Sequence, residues 1–336
     1  MAMGPRPSTW SKVLGEIKAV GPQPAGGPSG FDIVLHKKLA GVHALTKRPL
    51  VLYATACTVP NRIIPPQMLM IDFSDKLAFA DATEMLDGSA IDIIIHSPGG
   101  IAEAVESVVS QLRRRFSDIR FIVPDFAKSA ATMMVMSGNE ILMDPDAELG
   151  PIDPQMHTIF GTHPAQSIIE QYEEGKNKIF EDNRNVPVWG PILANLAPSL
   201  LVDCRHAIAL SEKLVEEWLQ KYMFANDPHA DLKAREIVGF LSNHAYFKSH
   251  ARRVTLDDLT RLRTKVKDLS ADQQLHAAVK EAYCATDITL GNTATVRLIE
   301  NHLGNRVVRS FAQPPLTFQL QRRRVGGPPG PPPSAP

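Results

Sequence analysis

Short apolar runs alternate along the first half of the chain with segments whose apolar residues recur at helical spacing. The runs are continuous, and the second is rich in β-branched residues, which is typical of strands buried on both faces. They lie at 50–56, 91–97, 119–124 and 140–144. Apolar residues of the segment after the second run fall on one helical face, and another helix is predicted over 129–137. This alternation predicts an α/β fold with a parallel sheet and right-handed crossover helices.

The second half of the chain has a mainly helical pattern. Helices are predicted over 167–183, 199–223 and 255–283, and the segment 296–312 has the pattern of a late hairpin. The expected architecture is therefore a parallel sheet with crossover helices, followed by a helical C-terminal part.

Both ends of the chain are rich in proline and glycine. Residues 1–30 are expected to form a flexible arm with at most one short helix. Residues 313–336 are expected to form a basic, proline-rich disordered tail. A single domain is therefore expected over 31–312.

The composition is that of a globular protein without a strong charge preference. Of the 336 residues, 44% are hydrophobic, so a sizeable core can form. Lys plus Arg and Asp plus Glu both number 36, so we expect no nucleic-acid or anionic-membrane partner. No apolar run suits an integral membrane segment, the start lacks the apolar centre of a secretory signal, and the three cysteines suit a reducing compartment. We expect a cytoplasmic protein.

The segment 97–100, Ser-Pro-Gly-Gly, lies between a predicted strand and a predicted helix. Open α/β sheets bind their ligands at this edge. Gly99 and Gly100 let the backbone turn so that N–H groups point outward, toward a developing oxyanion. The motif alone is weak, because a plain strand-to-helix turn can have the same residues.

Ser129 lies at the start of the next predicted helix, with the small neighbours Ala127, Ala130 and Ala131. Small neighbours let a substrate backbone approach the hydroxyl, and a helix N-terminus lowers the cost of negative charge there. These features favour a nucleophile. The alternative is a serine that only caps the helix, which is a very common role.

The segment 148–155, Glu-Leu-Gly-Pro-Ile-Asp-Pro-Gln, follows the strand after the serine helix. Its glycine and prolines make a rigid corner that brings Asp153 and Gln155 to the same edge of the sheet. Alone this segment is a turn. Together with the two preceding loops, which follow successive strands of the same sheet, it predicts a single site.

These motifs resemble the serine dehydrogenase proteinase family of the ClpP/crotonase fold, which is related to signal peptide peptidase A and the Clp protease proteolytic subunit. The resemblance is strongest over 90–156 and extends more weakly over about 35–312. It implies a serine peptidase that acts through an acyl-enzyme, with Ser129 as the nucleophile. The residues expected to bind the oxyanion and the substrate are Gly99, Gly100 and Ala130.

The sequence offers several candidates for the general base. Clp-type relatives have a histidine in the loop after the catalytic helix, where this chain has Asp153, with His157 four residues later. Signal peptide peptidase relatives use a lysine from a later helix, where this chain has Lys176 and Lys178. A lysine can serve only if burial lowers its pKa toward neutrality. Lys178 is followed by two apolar residues, so we expect drier surroundings and favour it, with Asp153 and a histidine as the alternative.

Two other functions remain open. A crotonase-type acyl-CoA enzyme would use the paired N–H groups to stabilise a thioester enolate, but it would not need a serine at the helix start. A catalytically silent assembly scaffold would need no base. No Gly-x-Gly-x-x-Gly fingerprint follows a strand, and no His/Cys/Asp spacing suits a metal, so we expect no cofactor.

The expected partners are a peptide or protein substrate and further copies of the chain. The stretch 196–224 has apolar residues on more than one helical side, and such a helix needs contacts on several faces. We therefore expect a homo-oligomer. The alternative is that all these contacts lie within one chain.

Overall fold

The computed structural model describes residues 8–24, 26–60 and 62–311. The α-helices are α1 (Thr9–Ala19), α2 (Gly30–Thr46), α3 (Pro66–Leu69), α4 (Asp75–Thr83), α5 (Ala102–Arg115), α6 (Ala130–Met136), α7 (Ala165–Glu181), α8 (Val186–Ala194), α9 (Leu200–Trp218), α10 (Ala230–Leu241), α11 (His244–Phe247), α12 (Leu256–Arg261) and α13 (Gln273–Asn292). The strands are β1 (Leu50–Thr55), β2 (Ala90–His96), β3 (Asp118–Val123), β4 (Phe126–Ala127), β5 (Glu140–Met143), β6 (Glu148–Leu149), β7 (Gln155–Thr158), β8 (Gly161–Pro164), β9 (Val266–Asp268), β10 (Thr295–Asn301) and β11 (Arg306–Ser310).

Seven strands form the main sheet, in the order β11-β10-β1-β2-β3-β5-β9. Neighbouring strands from β1 to β9 run parallel, whereas β10 and β11 form an antiparallel hairpin on the outer side of β1. Helix α5 connects β2 to β3, and α6 lies between β3 and β5 along the chain. The predicted α/β fold with a parallel sheet and crossover helices is confirmed.

Both faces of the sheet are covered, which explains the continuous apolar runs of its strands. On one face, Val51 and Tyr53 of β1 belong to a core that includes α4, α5, α6, α9 and α10. On the other face, Leu50, Leu52 and Ala54 belong to a core with α1, α2 and α13. Burying one such leucine side chain contributes about 1.5–3 kcal/mol, so the two cores together fix the sheet and the loops at its edge.

The one short helix that the sequence allowed for in the N-terminal arm is α1, and it packs on the domain. Helix α1 buries Val13 and Ile17, which are one turn apart and therefore lie on one face, against α2 and α13. The indole of Trp10 donates a hydrogen bond to Asp287 at 3.2 Å. The amphipathic spacing within α1 outweighs the proline and glycine around it. The predicted tail, 313–336, lies outside the described residues.

The predicted helix over 255–283 is interrupted by a strand. Helix α12 ends at Arg261, and Arg263 has a left-handed backbone with φ of 57°. Strand β9 then pairs in parallel with β5 at the sheet edge before α13 begins. The three residues of β9, 266–268, pair in register with 141–143, and this pairing rather than its burial pattern makes the segment a strand.

Residues 155–210 form a lobe beside the sheet, made of the β7–β8 hairpin, α7, α8 and the first half of α9. Its small core holds Ala165, Ile168 and Cys204. The second half of α9 instead enters the main core through Leu214 and Val215. Much of the apolar surface of the 196–224 stretch therefore has partners within the chain.

Candidate active site

Ser129 lies on a strained turn between β4 and α6. Its backbone has φ of 54° and ψ of −125°, a conformation that residues with a side chain rarely adopt. Its hydroxyl makes no helix-capping hydrogen bond, so the structure does not support the role of a simple cap. Instead, Ser129 lines a cavity of about 600 Å³. A sharp strand-to-helix turn of this kind is how a catalytic serine is exposed at a sheet edge.

The two glycines before α5 are required by close contacts. Gly99 has φ of +106°, and a Cβ there would lie 2.8 Å from the Cβ of Ser129 and 2.7 Å from the carbonyl of Lys128. A Cβ at Gly100 would overlap the backbone of Ile71. Both positions therefore exclude any larger residue, and the Gly99 turn is held directly against the serine.

Two unpaired backbone N–H groups line the cavity beside Ser129. Gly100 and Ala130 both line it, and their N–H groups find no acceptor among the described residues. Ala130 is the first residue of α6, where a helix leaves its N–H groups unpaired. The amide of Gly99, in contrast, donates to the hydroxyl of Ser97 at 3.2 Å. Gly99 thus supplies the turn, and the other two supply the free donors.

The loops that hold these residues are joined through their backbones. Lys128 N–H donates to the carbonyl of Ser97 at 3.0 Å, and Ser97 N–H donates to the carbonyl of Phe126 at 3.3 Å. Ser97 and Ala127 form a parallel bridge. Backbone hydrogen bonds therefore hold the glycine loop and the serine turn together.

Asp153 forms the other side of the site, with a histidine that the sequence analysis did not single out. The Asp153 side chain is buried, and its Oδ1 lies 2.7 Å from Nδ1 of His250. Gln155 donates to the second carboxylate oxygen at 3.1 Å. Because an ionised carboxylate only accepts hydrogen bonds, Nδ1 of His250 must carry a proton, which leaves Nε2 as an acceptor. His250 lines the same cavity as Ser129.

The loop that contains His250 is tied to the Asp153 corner. Leu149 and Val254 exchange two backbone hydrogen bonds of 2.9 Å, one in each direction. Ser129 and His250 thus line one cavity, and Asp153 bonds to His250 from outside that lining, which is the combination of residue types that serine hydrolases use. His157, the other histidine near Asp153 in the sequence, lines the cavity but bonds to Thr162 at 2.8 Å.

The structure does not bring the expected lysine base to Ser129. Lys178 is half-exposed on α7, and its Nζ donates to Glu181 at 2.9 Å. That hydrogen bond raises the pKa of Lys178, opposite to what a lysine base requires. Phe180, one of the apolar neighbours, is itself 81% exposed, which is why the expected dry surroundings are absent. Lys176 pairs with Glu173, and neither lysine lines the cavity.

A buried polar network lies beneath the glycine loop and the serine turn. His96, directly before Ser97, lies 3.4 Å from Asp125, and Tyr283 of α13 donates to the same carboxylate. Burial lowers the pKa of His96 to about 4, so its ring is neutral at neutral pH. Cys57 also lines the cavity, but burial raises its pKa to about 11, so its thiol stays protonated and is a poor nucleophile.

The walls of the cavity are mainly apolar. They include Leu69, Met70, Ile101, Met133 and Leu210. A mainly apolar wall with a few convergent polar groups is typical of a ligand site. Over residues 8–24, 26–60 and 62–311, no group of three or more His, Cys, Asp and Glu side chains could hold a metal ion.

His250 was missed because no local pattern marks it. It lies 97 residues after Asp153, in a loop after the short helix α11. The only available signal was the order of residue types, since serine, aspartate and histidine occur in this order in the α/β-hydrolases. Several histidines of the chain follow Ser129 and Asp153 and therefore fit this order equally well.

Comparisons with known proteins identify relatives of unknown activity. The uncharacterized proteins MJ1495 and MJ0137 of Methanocaldococcus jannaschii are 31% and 28% identical over 177 and 173 residues. These matches cover 52% and 51% of this chain. The chain spans about half the length of the curated relatives it matches, 51% in both cases. Among the helices that the structure describes, none has the length and apolar character needed to cross a membrane.

A solved structure of a ClpP1 variant from Listeria monocytogenes aligns with 72% of this chain and 99% of its own, at 12% identity and a TM-score of 0.36. The family model for the ClpP-like SDH-type serine proteinases matches residues 64–275, which include Gly100, Ser129, Asp153 and His250. The chain therefore belongs to the ClpP-like SDH-type serine proteinase family.

Proposed function

We propose that the protein is a serine peptidase that hydrolyses peptide bonds through an acyl-enzyme. The observation that carries this proposal is one cavity lined by Ser129, by His250 with its partner Asp153 behind it, and by Gly100 and Ala130 with their unpaired amides. A serine alone is a poor nucleophile, whereas a serine with a base and two oxyanion donors has what acyl transfer requires.

Each group has a definite part in the reaction. The hydroxyl of Ser129 attacks the carbonyl carbon, and its proton passes to Nε2 of His250. The oxyanion accepts hydrogen bonds from the N–H groups of Gly100 and Ala130. Asp153 stabilises the imidazolium, which then gives its proton to the leaving amine. Water, activated by the same histidine, releases the acyl group.

The cavity walls support an apolar side chain next to the scissile bond. Leu69, Met70 and Met133 line the cavity together with Ser129. Burying a side chain of leucine size there would contribute about 1.5–3 kcal/mol to binding. We therefore propose peptides or unfolded protein segments with an apolar residue at this position as the substrate class.

Labelling with a fluorophosphonate probe tests the nucleophile. The probe should modify Ser129, and Ser129→Ala should lose both the label and peptide hydrolysis while remaining folded, because this hydroxyl makes no capping hydrogen bond. Ser211→Ala is the matched control, since Ser211 lines the same cavity away from the strained turn and should be dispensable. Peptide hydrolysis by folded Ser129→Ala would contradict the proposal.

The alternatives predict different results. A crotonase-type enzyme would be stabilised against heat by an acyl-CoA and would tolerate Ser129→Ala. A silent scaffold would be folded but would neither react with the probe nor cleave peptides. A serine without a capping role and a carboxylate-bound histidine that line the same cavity support the hydrolase, because neither alternative needs both residues.

We also propose that the chain forms a homo-oligomer through its lobe. The tip of the β7–β8 hairpin exposes Ile159 and Phe160, at 93% and 62%, and Val188 of α8 is 64% exposed. Exposed apolar surface of this kind marks an interaction site. Light scattering should give a mass above that of the monomer, and Ile159→Ser with Phe160→Ser should lower it. Leu77→Ser, which changes an equally exposed residue of α4, should not.

We propose a cytoplasmic location. The cysteines at 57, 204 and 284 are all free thiols, and a reducing compartment keeps them so. Fractionation of cells with an antibody against the chain tests this location, and recovery in a secreted or oxidising compartment would contradict it.

A further inference from the structure

A second serine–histidine pair lies on the other side of Asp153. Nε2 of His244 lies 3.0 Å from the hydroxyl of Ser167, and Nδ1 of His244 lies 3.7 Å from Oδ2 of Asp153. His250 takes the other carboxylate oxygen, Oδ1. The buried carboxylate of Asp153 therefore lies between two histidines. The second ring nitrogen of His244 lies against Ser167, whereas His250 lines the first cavity.

The orientation of His244 suits a general base. The negative charge of Asp153 beside Nδ1 favours the tautomer with its proton on that nitrogen. Nε2 is then the acceptor for the hydroxyl proton of Ser167. Ser167 and His244 are within hydrogen-bond distance, and Asp153 lies within ion-pair distance of His244 without a hydrogen bond to it.

Ser167 opens onto a cavity different from the first one. This cavity has a volume of about 900 Å³, and neither Ser129 nor His250 lines it. Ile168, Ile192, Leu196 and Leu200 make its walls mainly apolar. An apolar chain is what these walls would hold, beside His157 and His163, which also line the cavity.

Hydrogen-bond donors are available beside Ser167. Gln171 lies four residues later, on the same face of α7, and lines the same cavity. Its side-chain amide has no acceptor in the described ranges. Ser167 is also in the first turn of α7, where the helix leaves N–H groups unpaired and favours negative charge.

We propose that Ser167 and His244 form a second hydrolytic centre, which shares Asp153 with the first and cleaves carboxylic esters that have an apolar acyl chain. Ser167 Oγ bonds to the ester carbonyl carbon, and its proton passes to Nε2 of His244. The bond to the alkoxy oxygen breaks, and the leaving alcohol takes that proton. Water then attacks the acyl-serine, with His244 as base, and releases the carboxylic acid and the free serine.

The geometry selects esters rather than peptide bonds. The 3.7 Å separation of His244 and Asp153 is too long for a hydrogen bond, so the imidazolium is stabilised less than that of His250 at 2.7 Å. An ester has a better leaving group than an amide and needs less help. The second centre should therefore act on activated esters such as p-nitrophenyl hexanoate.

The test uses the full chain with Ser129→Ala, which removes the first nucleophile. This variant should still hydrolyse p-nitrophenyl hexanoate, and a fluorophosphonate probe should label Ser167, as located by peptide mass spectrometry. Adding Ser167→Ala should abolish the label, and adding His244→Gln should slow ester hydrolysis by roughly a hundredfold or more, the scale of a positioned base. Ser199→Ala is the matched control, since Ser199 is exposed, bonds to Asp203 and does not line the cavity.

Two results would overturn the proposal. One is an unlabelled Ser167 in Ser129→Ala, and the other is residual ester hydrolysis that survives Ser167→Ala. The labelling result needs no change at Ser167 and so does not depend on how the double variant folds. Labelling of Ser129 in the unmodified chain tests the peptidase proposal separately, so the failure of one proposal is distinguishable from the failure of the other.

Discussion

The two sides of the candidate active site are built in different ways. The side with Ser129 and the glycine loop is joined by backbone hydrogen bonds between neighbouring strand ends, such as that of 3.0 Å from Lys128 to Ser97. The side with the base depends on a side-chain contact of 2.7 Å between Asp153 and His250, which are 97 residues apart. The proposed nucleophile is therefore positioned by backbone hydrogen bonds, whereas the proposed base is held at its carboxylate by a side-chain contact.

The largest expected loss of peptidase activity comes from removing the imidazole of His250. His250→Gln removes the base but keeps a polar side chain, so peptide hydrolysis should fall by about two to four orders of magnitude. Lys178→Met is the control, because Lys178 is half-exposed and paired with Glu181, and its activity should match that of the unmodified chain. Steady-state kinetics on a fluorogenic peptide distinguish the two. If Lys178→Met were inactive and His250→Gln were active, the base would be the lysine and not the histidine.

The next largest expected loss of peptidase activity comes from displacing the backbone amide of Gly100. Gly100→Ala places a methyl group where the Ile71 backbone lies, so the loop must shift and its N–H group must leave the oxyanion position. We expect a loss of about a hundredfold or more in kcat, together with a lower free energy of unfolding. Gly41→Ala in α2, where nothing lies within 4 Å of the added methyl, should keep full activity. Near-normal turnover by Gly100→Ala would mean that this amide is not a donor.

The buried network beneath the glycine loop and the serine turn predicts that folding stability depends on pH. The pKa of His96 is lowered from 6.5 to about 4 in the folded chain, so the unfolded chain binds a proton more readily. Its contribution to stability is present above pH 6.5 and is lost as pH falls toward 4. The loss should reach about 3 kcal/mol. Denaturant unfolding at pH 7 and pH 4.5 should show this slope, and His96→Gln should flatten it; an unchanged slope would contradict the assignment.

The smallest effect concerns the cavity wall. Because burial raises the pKa of Cys57 to about 11, its thiol should react slowly with iodoacetamide at pH 8, and peptidase activity should survive. Near pH 11 the thiolate forms, and alkylation of a residue that lines the cavity should block substrate binding. Cys57→Ser should resist this inactivation. Rapid loss of activity at pH 8 that maps to Cys57 would show a more reactive thiol than its burial implies.

The part of the site that could be predicted is the part built from contiguous residues. Ser129, Gly100 and Asp153 each lie in a short motif that follows a strand, so the sequence places them at one sheet edge. His250 could not be predicted, because only tertiary packing brings its loop to Asp153. Lys178 was favoured from its apolar neighbours, but adjacency in sequence does not imply burial when those neighbours face solvent.

In the fold, too, elements with a long regular pattern could be predicted, whereas short elements could not. Strands with long apolar runs, such as β1 and β2, were predicted because both of their faces are buried. Strand β9 has three residues, two of them exposed, so its period is too short to separate it from the helical pattern around it. Helix α1 buries only two residues, Val13 and Ile17, so its sequence gives a weak signal of how firmly it packs.

Helix α13 and the β10–β11 hairpin have a practical consequence for anyone who shortens this chain. A fragment cut to the family match, 64–275, would lose β1, β10 and β11 and nearly all of α13. Its four remaining sheet strands would expose the unpaired edge of β2, and Ile94 and Ile122 would lose the helices that cover them. Such a fragment should aggregate rather than fold, so the residues that the family shares are not an autonomous folding unit.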